Sequence, residues 1–300
     1  MNPFAAKIIP LVLCFFLGLG LRQLKLLSKN DAPLLLRFVL SVCLPALMIL
    51  AIYRVPLAAD MLLIPLCAML TVFAVFGVSS AVGKRLQMPG PTYGSFLVGT
   101  LIMNTAYSLP FYRAAFGDEG LARASLFDIG NTVLIFTFSY YYAIKYGDNS
   151  HSDKVDWKKF LKLPPLYAMS AAFLIKALRV EIPPLGVNFL EMAGQPMGLI
   201  MMVALGLTFA PKLSHLGKAG IAVFIRMGIG LLIGWLLAII FGLQGVTRNV
   251  VIVCSGLPVG FNTLIFAELE SLDREFAATM VSISILIALF YIPLLIHIIH

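Results

Sequence analysis

Two short phrases set amides, hydroxyls and a proline inside otherwise apolar stretches. One runs Asn104-Thr105-Ala106-Tyr107-Ser108-Leu109-Pro110, the other Pro258-Val259-Gly260-Phe261-Asn262-Thr263. Proline has no N–H and its ring crowds the carbonyl four residues back, so a helix is interrupted at each phrase and the oxygens of Ala106 and Cys254 are freed. Amides and hydroxyls beside such a break can hold a small polar solute, and a half-helix that resumes there presents a positive N-terminal end suited to a carboxylate. Asn104, Tyr107, Ser108 and Pro110, with Pro258, Asn262 and Thr263, are therefore the candidate binding set. A second constellation is Asp128-Ile129-Gly130-Asn131, which puts a carboxylate and an amide nearly one helical turn apart. An acid deep in an apolar segment points to ion coupling or gating. Arg226, two turns into another apolar segment, is its candidate partner, a counter-ion for a substrate, or a cation snorkelling to the membrane edge. The plainer alternatives are an ordinary proline kink, amides acting as glue between helices, and a structural ion pair.

Enzyme chemistry finds little footing. His151, His215, His297 and His300 lie in loops or at the end of the chain, and no second central aspartate joins Asp128 to make a proteolytic dyad. No Gly-x-Ser-x-Gly appears, nor a glycine-rich phosphate loop with its lysine. The expectation is no catalytic residue, no metal and no cofactor.

The elements that must position these residues are set by composition. Of 300 residues, 60% are hydrophobic and 12% charged, about half the charge of a soluble domain. A bilayer explains such depletion. A spanning helix needs about 20 apolar residues, and ten such segments can be marked at 7–22, 33–53, 61–82, 93–116, 121–144, 161–178, 191–210, 218–242, 248–269 and 275–299. None alternates as a barrel strand would. The reading is an all-α polytopic membrane protein. The run Ile8 to Leu21 has the length of a signal-peptide core. Only Lys7 precedes it, however, basic residues follow it, and no small-residue cleavage site appears. It reads as the first span.

Lys and Arg are concentrated in the loops that would be cytoplasmic if both termini were outside, and this orientation accounts for the formal charge of +8 without invoking nucleic acid. Cys14, Cys43, Cys67 and Cys254 all fall in apolar stretches and are expected as free thiols. The polar stretch from Gly147 to Lys162 divides the spans five and five. An odd count forces a repeated unit to insert upside down the second time, the plan of many secondary transporters. The expected organisation is a first five-helix repeat at 1–146, a cytoplasmic linker at 147–163 and an inverted repeat at 164–300. The fourth and ninth helices, in matching positions, are the two that carry the proline phrases.

The run NTAYSLPFYRAAFGDEGLARASLFDIGNTVLIFTF resembles the fourth-to-fifth helix region of the auxin efflux carrier family, in which an asparagine and a proline precede an aromatic-glycine-acidic turn. The run GLPVGFNTLIFAELESLDREFAATMVSISILIALFYIPLL is similar to that family's last two helices, and Pro45 matches its second-helix proline. Thr105-Ala106 departs from the family, where a glycine is common. The short central stretch is more like a bacterial member, within the wider bile-acid, arsenite and riboflavin transporter-like superfamily. What the resemblance implies is a ten-helix inverted-repeat carrier whose fourth and ninth helices cross at their prolines, moving small organic anions such as mono- or dicarboxylates across the inner membrane. The expected partners are that anion and the lipid bilayer. Coupling to H⁺ or Na⁺ and pairing with a second copy stay open. Two rivals stand beside this reading. One is a drug/metabolite-type transporter, typically with both termini inside; the other is a membrane sensor that does not transport.

Overall fold

The computed structural model describes residues 3–54, 59–147, 164–209 and 216–299. All of the expected 147–163 linker except Gly147 lies outside them. Among the described residues the regular structure is helical, apart from one antiparallel bridge between Met103 and Val259. In chain order come α1 Pro3–Gln23, α2 Ala32–Phe38, α3 Leu44–Arg54, α4 Leu63–Arg85, α5 Gly90–Leu101, α6 Thr105–Leu134, α7 Tyr140–Tyr146 and α8 Pro164–Ala177. There follow α9 Pro184–Gly194, α10 Met197–Thr208, α11 Leu216–Phe224, α12 Gly230–Ile240, α13 Gly245–Ser255, α14 Asn262–Leu269 and α15 Arg274–Ile299. Wider π-helical turns join α2 to α3 (Val39–Cys43), α6 to α7 (Ile135–Ser139) and α11 to α12 (Ile225–Ile229).

Among the described residues, six helical stretches are long and apolar enough to cross a bilayer: Lys29–Arg54, Leu63–Arg85, Thr105–Tyr146, Pro184–Leu207, Leu216–Ile240 and Arg274–Ile299. The other expected spans correspond to shorter helices. α5 and α13 hold 12 and 11 residues, about 18 Å at 1.5 Å per residue, because the chain unwinds before either could cross.

The first break differs from expectation in its place. It falls at 102–104, while Pro110 lies inside α6. A proline this near a helix start removes a single interior bond, so the helix tolerates it but is discouraged from extending further back. Six residues upstream, Asn104 supplies the cap. The expected acidic turn is realised at Gly117, whose φ of 63° and ψ of −151° suit only glycine and kink α6 before Asp118.

By contact the chain forms two compact units. One comprises Met1–Ala58, Leu109–Ser125 and Leu161–Phe209. In it α1 packs along α10, and α3 along α8 and α9. Two basic side chains close helix ends here. Arg22 donates to the carbonyls of Leu207 (3.2 Å) and Phe209 (2.5 Å) at the end of α10. Lys176, which lies within the expected 161–178 span, donates to those of Ile52 (2.6 Å) and Tyr53 (3.2 Å) at the end of α3. Cations suit the negative C-terminal end of a helix.

The other unit comprises Ala59–Ser108, Leu126–Phe160 and Ala210–His300. In it α5 packs against α4, α7 and α15, and α13 against α12 and α4. An acidic residue just before α15 caps it: Asp273 accepts the Phe276 N–H (2.9 Å) and the Thr92 hydroxyl (2.8 Å). Every candidate site residue except Pro110 belongs to this unit.

Candidate functional site

The two unwound segments meet. Ile102-Met103-Asn104 runs antiparallel to Pro258-Val259-Gly260. The Asn104 N–H donates to the Pro258 carbonyl and the Gly260 N–H to the Ile102 carbonyl, both at 2.9 Å. Backbone freed from two broken helices thus satisfies itself, which buried non-helical chain must do. Pro258 suits its place because its carbonyl is used and it has no N–H to bury unpaired. The Cys254 carbonyl, expected to be freed by Pro258, accepts instead from the Leu257 N–H at 3.3 Å.

In such a bridge, alternate peptide groups point outward and need their own partners. On the Met103 side the partner is Asn131. Its Nδ2 donates to the Met103 carbonyl (3.0 Å) and its Oδ1 accepts the Met103 N–H (3.5 Å), so one side chain imitates a further strand. On the Val259 side, Ser284 of α15 accepts the Val259 N–H at 3.1 Å and passes its own hydroxyl proton to the Val281 carbonyl at 2.9 Å. Asp128 stands behind Asn131. One of its oxygens accepts from the Thr105 hydroxyl at the start of α6 and from Asn131 Nδ2 (3.5 Å).

Arg226 occupies the remaining ends. It is fully buried in the π-turn before α12, donating to the Thr100 carbonyl (3.0 Å) near the end of α5 and to the Ser255 carbonyl at the end of α13. Both oxygens are orphans of helix C-termini. The close approach is made possible by Gly230 and Gly234 on α12. A methyl group on Gly230 would strike the Ser255 carbonyl and the guanidinium, and one on Gly234 the Ser255 side chain. Thr71 of α4 completes the seam, its hydroxyl 3.1 Å from that of Ser255. The suggested pairing of Arg226 with Asp128 is not formed. Each has hydrogen-bond partners of its own, and the helix ends offer the guanidinium two oxygens at once. Nor does Arg226 snorkel.

The remaining candidates divide by what their polar atoms do. Asn104 caps α6, accepting the Tyr107 N–H at 3.2 Å, while its Nδ2 is buried without a partner. Thr263 is fully buried in the first turn of α14, with Oγ1 likewise unpartnered. Asn262, half-buried, opens that helix. Ser108 gives its proton to the Thr105 carbonyl (2.7 Å), leaving only acceptor capacity, and Tyr107 is fully buried. Pro110 lies in the other unit. Sequence reasoning missed Ser284, Thr71, Ser255, Gly230 and Gly234. Single serines and threonines in an apolar helix carry no signal, but Gly230-x-x-x-Gly234 four residues after a buried arginine was a readable close-packing pattern.

The chain matches, over residues 3–296, a family model described as membrane transport protein. It is 26% identical over 223 residues to an uncharacterized transporter of Methanocaldococcus jannaschii, covering 71% of each chain. It is also 25% identical over 211 residues to an uncharacterized transporter of Methanothermobacter thermautotrophicus, covering 68% of this chain and 67% of the relative. With all but a few terminal residues inside the match, the chain belongs to the membrane transport protein family, the auxin efflux carrier family that its two proline phrases resemble.

Proposed function

We propose that this chain is a secondary or facilitative carrier for small organic anions, working by alternating access around the crossing of its broken helices. In this reading it has ten spans in two inverted sets of five, both termini outside, and lies in the cell membrane. The single observation that carries the proposal is the crossing itself. Two half-helix N-termini, those of α6 and α14, start beside it with buried, unpartnered donors at Asn104 and Thr263. Buried polar atoms are rarely left unsatisfied without a reason, and donors at positive helix ends are what a carboxylate requires.

Asn104, Asn262 and Thr263 would contact the anion, Tyr107 and Ser108 would line the way to it, and Pro110 and Pro258 would keep the helices from closing over the gap. Asp128, with Asn131, would sense the coupling ion. Arg226 acts as the staple of the two C-terminal ends rather than as a ligand.

The experiment is uptake of a panel of mono- and dicarboxylates into proteoliposomes, with the methyl ester of each as control. Accumulation or exchange of at least one acid, with much weaker binding of its ester, is the expected result. Equal binding of acid and ester would remove the anion reading, and binding without flux would favour a sensor. A C-terminal reporter found in the cytoplasm would count against the proposed orientation.

A further inference from the structure

We propose, resting on the carrier reading above, that the crossing loads one monocarboxylate together with one proton. The proton goes onto Asp128, so the net charge of the site is the same empty and occupied.

Four helix ends gather at the crossing. Two are C-terminal, at Leu101 of α5 and Ser255 of α13; two are N-terminal, at Thr105 of α6 and Asn262 of α14. Each end is equivalent to about half an elementary charge, negative at a C-terminus and positive at an N-terminus. The two negative ends together offset about one positive charge, and Arg226 supplies it, fully buried with its donors on the Thr100 and Ser255 carbonyls. Its charge is matched by these two helix ends, and no carboxylate is engaged with it among the described residues. The N-terminal ends of α6 and α14 are left with about one positive charge between them. In the empty site as proposed, Asp128 is ionised and its carboxylate offsets this charge, held through Thr105, the first residue of α6.

An arriving carboxylate seeks the same positive ends. Asn104 Nδ2 and Thr263 Oγ1 wait there, 4% and 0% exposed in residue terms and without partners. Two carboxylates against one positive equivalent would leave a full negative charge in an apolar surround, which is unfavourable. A proton from the aqueous side bonds to a carboxylate oxygen of Asp128 and removes that excess. It departs to water when the substrate leaves, and no bond of the substrate breaks. A dicarboxylate would restore the excess, hence the monocarboxylate.

The surroundings of Asp128 offer no competing charge. α4, which approaches Gly130 through Pro65 and Ala68, carries only the Cys67 thiol and, in its last turn, Lys84 and Arg85. α5 carries Tyr93 in its first turn, and the 256–261 segment carries no titratable side chain. α6 itself carries Tyr107 and, over the residues that belong to the other unit, Tyr112, Arg113, Asp118, Glu119 and Arg123, the last paired with Glu119 at 2.7 Å. Glu268 of α14 is paired with Arg274.

The test is isothermal titration of the purified protein with lactate at pH 7, in two buffers of different ionisation enthalpy. The expected result is uptake of about one proton per lactate bound. Lactate binding with no proton uptake overturns this inference while leaving the carrier reading intact. Absence of binding by lactate and every other carboxylate of the panel sinks both. Asp128→Asn should bind lactate with no proton uptake; uptake persisting in that variant would place the proton elsewhere and overturn the assignment. In reconstituted vesicles, lactate transport should carry no current in the wild type and inward negative charge in Asp128→Asn. A wild-type current of one negative charge per lactate would also overturn it, as would malonate, a dianion at this pH, binding as tightly as lactate.

Discussion

The two arms of the crossing reach the same backbone geometry by different means. Ile102-Met103-Asn104 is held along its outer edge by an amide that is itself held by an acid, a chain running Met103–Asn131–Asp128–Thr105 and back to the start of α6. Pro258-Val259-Gly260 is held by a single hydroxyl that turns its proton back into its own helix. One arm has an ionisable group in its support and the other has none. The two arms share a backbone geometry without sharing the chemistry that supports it.

The largest effect on this comparison should come from the residue both arms share. Arg226→Met keeps an unbranched apolar side chain but strands two helix-end carbonyls at once, and since a hydrogen bond to a charged group is worth about 1.5–3 kcal/mol, a loss of about 3–6 kcal/mol is expected. Thermal unfolding in detergent should show it, with both arms exchanging amide hydrogens faster; loosening of one arm alone would refute the staple. Next comes Asn131→Leu, which strands the Met103 N–H and carbonyl and removes a donor from Asp128. A buried unsatisfied group costs about 1–3 kcal/mol, so a loss near 3 kcal/mol is expected, with protection lost around 102–104 and kept around 256–261. Gly230→Ala should cost about 1–3 kcal/mol by overpacking, with the reverse pattern, since the new methyl group meets Ser255 first. The smallest effect belongs to Ser284→Ala, which leaves only the Val259 N–H unpaired and should cost about 1 kcal/mol. If Ser284→Ala proves as damaging as Asn131→Leu, the two arms are not supported unequally and the comparison fails.

Helices and breaks were legible in the sequence because apolar length and proline are local signals. The placement of the first break was not, because Pro110 marks where a helix is discouraged from extending backward, and the cap at Asn104 decides where it starts. The mutual surroundings of Asp128 and Arg226 were illegible for a different reason. Opposite charges in an apolar chain suggest a pair, but pairing depends on which backbone groups are orphaned nearby, and that emerges only when α5 and α13 end side by side. Ser284 and Thr71 gave no signal, since a hydroxyl in a helix ordinarily bonds its own preceding turn, as both of these do.

The π-turn at Ile225–Ile229 has a consequence for how this sequence can change length. A π-turn holds one more residue per turn than an α-turn, and each α-helical residue turns the chain by about 100°. Deleting one residue between Arg226 and Gly230 would let the segment relax to ordinary α-helix with everything downstream kept nearly in phase, because the wide turn and the α-turn each complete about one full rotation, so Gly230 and Gly234 would still face Ser255. The glycines stand four and eight residues after Arg226. A relative lacking the extra residue should therefore carry its small residues three and seven positions after its arginine, or have lost the staple altogether. Register, more than residue identity, is what this turn preserves.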